Sequence, residues 1–192
     1  YGSLTEPGGG WQALATVLAA GFTGQEVADI GAGEGALALI LARYADRVTA
    51  VDLSPRMLEV IAEQAQTLGL QDSVKVAEGD FEGLPLPDCS VDAAFLSQSL
   101  HHAARPKIAI AEAARICRPG GQLILLDLVQ HPHEWVREEW ADQWLGFQET
   151  DVRAWLEAAG CEVLVAGRVS GATPDLPVLT VVARRIDQNI NP

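Results

Sequence analysis

The sequence predicts an α/β fold: seven strands in a mostly parallel sheet, helices on both faces, and an antiparallel last strand. Three observations carry that reading. Short apolar runs alternate with helical periods of about ten residues. A buried run, Val27-Ala28-Asp29-Ile30, breaks into glycines at alternate positions, Gly31, Gly33 and Gly35, and then feeds a helix. The last two apolar runs have no helix between them, so they form a hairpin.

Each element follows from local chemistry. Residues 1–10 are glycine-rich and irregular, and Trp11 to Ala20 carries a helical period with Trp11, Leu14, Ala15 and Leu18 on one face. Strand one is Glu26 to Ile30, and the glycine turn launches a helix over Gly35 to Tyr44, rich in Ala and Leu. Strand two is Val48 to Val51 and ends on Asp52. Ser54-Pro55 starts the next helix, with Ser as N-cap and Pro at the first helical position, and Gly69 stops it.

Strand three is Val74 to Ala77, with Glu78-Gly79-Asp80-Phe81 at its end. Leu84 to Ser90 is a proline-containing loop, and strand four, Val91 to Leu96, leads to Ser97-Gln98-Ser99-Leu100-His101-His102. Pro106 opens a helix to about Cys117, which Pro119-Gly120-Gly121 ends. Strand five, Gln122 to Val129, is nearly all apolar, as an interior parallel strand should be. Residues 130–149 form an aromatic-rich insert with His131, His133, Trp135, Trp140, Trp144 and Phe147. A helix over Thr150 to Ala159 precedes the final strands, about Cys161 to Arg168 and Val178 to Ala183.

The length of 192 residues suits one full core, so residues 1–192 are read as a single domain. No apolar run reaches the length of a membrane span and no signal-peptide layout opens the chain, which points to the cytoplasm. The chain does not open on Met and its only Met is Met57, so a processed chain or a domain cut from a longer protein is expected. A formal net charge of −13 argues against nucleic-acid contact through this domain. Three widely spaced cysteines, with no C-x-x-C, give neither a zinc site nor a disulfide framework and read as reduced thiols.

The glycine turn implies a nucleotide-like cofactor on the amide-rich start of the following helix. The spacing Gly31-x-Gly33-x-Gly35 departs from the G-x-G-x-x-G of dinucleotide folds. Asp52 stands where a carboxylate can accept both ribose hydroxyls, which suits either NAD or an adenosyl ligand. Asp80 favours the adenosyl ligand: it could take the adenine amino group while Phe81 covers the ring. Against these stand plainer roles, Asp80 as a turn or cap residue and Phe81 as core.

In order, the chain shows Val27 to Gly35, Val48 to Asp52 with Ser54-Pro55-x-Met57-Leu58, Gly79-Asp80, Leu84-Pro85-x-Pro87-x-x-Ser90-Val91-Asp92, His101-His102, and Arg115-x-x-x-Pro119-Gly120-Gly121. This series resembles the class I S-adenosylmethionine-dependent methyltransferases, closely over about Glu26 to Val129. More narrowly, Leu96 to Ala103 and Asp142 to Phe147 look like the methyltransferase domain fused to ArsR-type regulators. The resemblance implies a Rossmann-like doubly wound sheet whose last strand slots between the fifth and sixth. It also implies S-adenosyl-L-methionine as cofactor. Asp29, Gly31, Gly33 and Gly35 would hold its methionyl end, Asp52 and Leu53 the ribose side, Asp80 and Phe81 the adenine, with Ser97 lining the reaction side.

Methyl transfer from a sulfonium needs alignment and a dry pocket more than a covalent nucleophile or a metal. His101 and His102 are the candidate catalytic residues, since a neutral imidazole could take a proton from the acceptor. The plainer reading makes one of them a loop-orienting residue. The tryptophan-rich insert is either a pocket wall, a core segment or a homodimer seam. The expected function is methyl transfer to a small molecule. The alternative is a cofactor-binding sensor that controls an attached DNA-binding domain without turnover.

Overall fold

Strand β1 (Glu26–Ile30) is the hinge of the sheet, because it pairs in parallel with β2 (Arg47–Asp52) on one side and β4 (Val91–Ser97) on the other. The computed structural model describes residues 21–22, 25–169 and 176–187. The helix expected over Trp11 to Ala20 and most of the loop before the last strand lie outside the described residues. Outward from β2 comes β3 (Val74–Glu78), and outward from β4 come β5 (Cys117–Leu128), β7 (Val178–Arg185) and β6 (Cys161–Val169). The order β3-β2-β1-β4-β5-β7-β6 places the last strand between the fifth and the sixth. It is antiparallel to both, as a direct hairpin connection from β6 requires.

Alternation along the central strands divides two apolar faces. Ala28, Ile30, Ala94, Leu96, Leu123 and Leu125 join one core cluster, with α3 (Pro106–Ile116) and α5 (Glu149–Ala158) supplying Ile110, Ile116, Val152 and Leu156. Val27, Ala93, Phe95, Ile124 and Leu126 join the other, against Leu41 of α1 (Ala36–Leu41) and Ile61 of α2 (Pro55–Thr67). A sheet buried on both faces needs apolar residues at every position, so the few polar ones stand out. Asp29 in β1 and Asp127 in β5 are both almost fully buried.

Three boundaries differ from the sequence expectation. The first helix ends at Leu41, and the chain to Tyr44 closes in tighter i→i+3 bonds, Arg43 N–H to Ile40 O and Tyr44 N–H to Leu41 O. Pro119-Gly120-Gly121 does not end a helix. It is a bulge within β5, where the pairing jumps from Val91–Cys117 to Ala93–Gln122. The insert carries a short helix, α4 (Trp135–Trp140). Among the described residues no helix is long and apolar enough to cross a membrane.

The turn into α1 rests on a missing side chain. A Cβ on Gly35, whose φ is +82°, would stand 2.6 Å from Cγ1 of Ile61 in α2. Gly69 has a similar φ of +71° but open space around it. Gly35→Ala therefore combines left-handed strain with overpacking, an expected loss of about 2–4 kcal/mol, against about 1 kcal/mol for Gly69→Ala. Urea unfolding of the two variants measures the difference, and equal losses would refute the packing argument.

Candidate functional site

The parallel strands all end at one edge of the sheet, and that edge is where such folds bind ligands. The glycine turn lies across it. Gly31 (φ +70°) could not carry a Cβ, which would meet Ser99 Cβ at 2.5 Å and the Phe81 ring at 2.7 Å. The amides of Gly31 and Ala32 both donate to Val51 O, at 2.8 and 3.0 Å, folding the turn over the end of β2. Gly33 (φ +53°) has nothing within 4 Å of its Cβ position among the described residues, which leaves room for a ligand to approach its backbone. Asp52 braces the opening, accepting the Gly33 amide at 2.8 Å and the Ser54 amide at 2.9 Å. Each oxygen keeps a lone pair for a further donor. Beside it Leu53 is 63% exposed.

Asp29 lies beneath the turn, 2% exposed, with Oδ2 lacking any hydrogen-bond partner among the described residues. Burial pushes its pKa up from 3.8 to about 7, the Ala38 amide draws it partly back, and the Asp52 charge adds to the rise. Such an acid welcomes a cation. Asp80 is exposed and spends one oxygen on the Glu82 amide (2.9 Å), the turn-forming role considered above. Phe81 is half-buried, with its ring on Gly31 and its edge against the core. Ser97 ends β4 half-buried. Gln98 then adopts a left-handed φ of +52°, and the kink lets Ser99 Oγ donate to Ile30 O at 2.8 Å. Asp29, Gly31, Gly33, Asp52, Leu53, Phe81 and Ser99 thus cluster around the ends of β1 and β2, with Ser97 next along the edge on β4. Gly35 faces α2 instead and shapes the turn from behind.

His101 and His102 form a short 3₁₀ turn (Leu100–His102) just beyond β4. His101 is buried, with Nδ1 at 2.7 Å from Asp127 Oδ1 and Nε2 at 3.5 Å from Asp142 Oδ1. Burial lowers its pKa, but the Asp127 carboxylate and its hydrogen bond, with Asp142 behind, overcome this and raise it. His102 is partly open, and its Nδ1 lies 3.8 Å from the same Asp142 oxygen. With both nitrogens directed at carboxylates, His101 orients the turn rather than facing a substrate, while the partly open His102 borders the outside. Sequence reasoning missed Asp127 and the role of Asp142. The sign of Asp127 was a lone acid in an otherwise apolar strand. Asp142 gave no comparable sign.

Residues 28–125 match a family model described as a methyltransferase domain. The chain belongs to the methyltransferase-domain family. It is 32% identical over 126 residues to demethylmenaquinone methyltransferase of Tropheryma whipplei (strain Twist), covering 66% of this chain and 51% of that protein. Over 149 residues it is 32% identical to 2-methyl-6-phytyl-1,4-hydroquinone methyltransferase 1, chloroplastic, of Oryza sativa subsp. japonica, covering 76% of this chain and 44% of that one. The crystal structure of the [4+2]-cyclase SpnF superposes with a TM-score of 0.79 at 26% identity, over 92% of this chain and 82% of that one. The chain spans about half the length of the curated relatives it matches.

Within this methyltransferase domain, the motif's Arg115 and the nearby Arg118 are structural. Arg115 binds Glu112, Asp88 and the carbonyls of Leu84 and Leu86, clamping the proline loop to α3. Arg118 ties Asp92 and Glu26 together at the starts of β4 and β1, the end of the sheet away from the glycine turn. Phe147 is core, packed edge-on against Trp155, whereas Trp135 and Trp144 stay well exposed.

Asp29 gives the ligand-free domain an inverted pH response. Its carboxyl keeps its proton to about pH 7 when folded but loses it near 3.8 when unfolded. The unfolded chain therefore binds fewer protons between those values, and stability falls as pH rises from about 4 to about 7, then levels. The effect is on the order of 4 kcal/mol. Asp29→Asn is expected to raise the ligand-free Tm at about pH 8 and to change it little at about pH 4. A destabilised variant at the higher pH would contradict the assignment.

Proposed function

We propose that this methyltransferase domain binds S-adenosyl-L-methionine at the glycine turn and transfers its methyl group to a small-molecule acceptor by in-line displacement. The observation that carries the reading is Asp29: a buried carboxylate oxygen without a partner, beneath an open glycine turn, suits the cationic amino group of a methionyl ligand. Asp52 holds the ribose through its remaining lone pairs, and Leu53 supplies an apolar cover that is otherwise exposed. Phe81 lies against one face of the adenine, with Asp80 at its amino group, and Gly31 and Gly33 allow close backbone approach. Ser97 lines the side where the methyl departs.

The bound cofactor supplies an electrophilic methyl on a sulfonium, so the residues need only align the acceptor and exclude water. His102 takes the acceptor side, and His101, held by Asp127, positions it. The relatives named above include methyltransferases of quinone-type rings, which supports a small acceptor. Similarity to named methyltransferases favours turnover over a sensor that only binds. We also keep an ArsR-type DNA-binding neighbour as part of the proposal, on the resemblance of residues 96–103 and 142–147; sequence preceding residue 1 in the full gene checks it.

Calorimetric titration tests the cofactor. S-adenosylmethionine and S-adenosylhomocysteine should bind, and NAD should not. Leu53→Ala should weaken binding roughly tenfold with unchanged stability, since it removes only exposed apolar area. Binding should tighten as pH rises toward 7, by up to tenfold per unit, because the ligand's ammonium needs ionised Asp29; Asp29→Asn should flatten that dependence. NAD binding in place of both adenosyl ligands would sink the reading.

The insert adds a partner. Trp135 is 40% exposed and stacks edge-on against Trp140, with ring centroids 4.8 Å apart. We assign this pair to a homodimer seam. Light scattering on the eluting protein should give a dimer that Trp135→Ser converts to monomer; a monomeric parent protein would exclude the seam.

A further inference from the structure

Beyond the cofactor site, the ends of β4 and β5 hold a second cluster of polar groups. The chain's four histidines all lie there: the rings of His101 and His102 are 4.1 Å apart, and those of His131 and His133 are 5.4 Å apart. Asp142 enters from the insert and is 3% exposed, and neither of its oxygens has a hydrogen-bond partner among the described residues. A buried carboxylate without donors costs several kcal/mol unless a positive charge reaches it.

Two imidazole nitrogens converge on it. His101 Nε2 and His102 Nδ1 stand 3.5 and 3.8 Å from Asp142 Oδ1, and one ligand atom from each of the three residues lies within 4.8 Å of the others. These separations are too long for ordinary hydrogen bonds. They are close to the ~3.3 Å between neighbouring ligands on a tetrahedral ion with bonds of about 2 Å. Asp127 completes the pattern: fully buried, it accepts the Leu128 amide at 2.7 Å and takes His101 Nδ1 at 2.7 Å. A carboxylate behind one imidazole nitrogen fixes the tautomer and presents the other nitrogen's lone pair, the arrangement that supports metal-binding histidines. In the neutral ring that lone pair faces Asp142, and a cation between the two would serve both.

We propose that His101 Nε2, His102 Nδ1 and a carboxylate oxygen of Asp142 bind a divalent transition-metal cation, with Asp127 orienting His101. Nitrogen and oxygen ligands of this kind suit zinc and its neighbours rather than magnesium or calcium. His102 is the partly open member, so a fourth ligand would approach from its side. In methyl transfer the cation would hold an acceptor oxygen and ease its deprotonation. That role rests on the proposed function; the site itself does not.

The test uses the ligand-free protein, dialysed against chelator and carrying Cys89→Ser to remove its exposed thiol. Zn²⁺ titration should show one bound ion per chain, and Co²⁺ should give visible absorption bands of a site with nitrogen ligands. His102→Ala, at a partly exposed position, should weaken binding about a hundredfold and change the Co²⁺ bands. Asp127→Asn should weaken it by about tenfold through His101. Asp142→Asn should abolish it, and its far-ultraviolet circular dichroism distinguishes lost binding from lost folding. No bound ion, or binding indifferent to His102→Ala, would overturn the site and leave a proton between His101 and Asp142 as the compensating charge. Because no methyl donor is present, a failure here is distinct from failure of methyl transfer.

Discussion

The missing Cβ at Gly31 is the constraint on which the ligand-binding edge depends. Ser99 Cβ lies 2.5 Å from where that atom would be, and the Phe81 ring lies 2.7 Å from it. Three segments far apart in sequence meet at this point: the end of β1, the stretch after β3 and the stretch after β4. Fixing Ser99 there requires the left-handed kink at Gln98, and Ser99 then locks the contact by donating to Ile30 O at 2.8 Å. The 3₁₀ turn that carries both histidines begins at the next residue, Leu100. A side chain at Gly31 would move the Phe81 ring and the histidine turn together.

Along this edge the chain keeps carboxyl groups where packing alone would put apolar ones. Asp29 and Asp142 are buried carboxylates, and three of their four oxygens are unpartnered. Each is raised in pKa by burial first. Two such groups oppose folding, and the two apolar faces of the sheet must offset them. Asp92 and Glu112 show the contrast: they are held well below the usual carboxylate range by arginine bonds and backbone amides, against the upward push of burial. The sheet can satisfy its acids with arginine, and does so away from the ligand edge. Among the described residues the two acids left without a full set of hydrogen bonds are Asp29, near the end of β1, and Asp142, packed on the histidine turn after β4.

Much of this was legible in the chain. Apolar periodicity, Ser54-Pro55 and Gly69 are local signals, and the elements they mark lie within a few residues of expectation. Pro119-Gly120-Gly121 misled because the same residues that stop a helix also build a bulge, and only the β4 pairing decides between them. Asp29, Asp52 and the glycines were legible because their spacing sits within one strand-turn-helix unit. The histidine cluster was legible only in part. His101 and His102 sit beside the motif, but Asp127 looked like one polar residue in a strand and Asp142 like part of an aromatic insert. What joins them is long-range topology: β5 beside β4, and a chain reversal at Ala141, whose φ of +58° is a left-handed value no residue pattern announces.

That reversal also ties the insert to the histidine turn. Gln143 and Trp144 both donate backbone amides to His101 O, at 3.0 and 3.1 Å. Gln143 Nε2 reaches His102 O at 2.8 Å, and the Trp144 indole reaches Ala103 O at 2.9 Å. Four bonds therefore fasten the segment after Asp142 onto the histidine turn, so the carboxylate and the imidazoles move as one unit. An acceptor that touches Trp144 necessarily loads the same backbone that sets His101 and His102. A change in the insert that shifts Gln143 or Trp144 must therefore be accommodated by the geometry of the polar cluster.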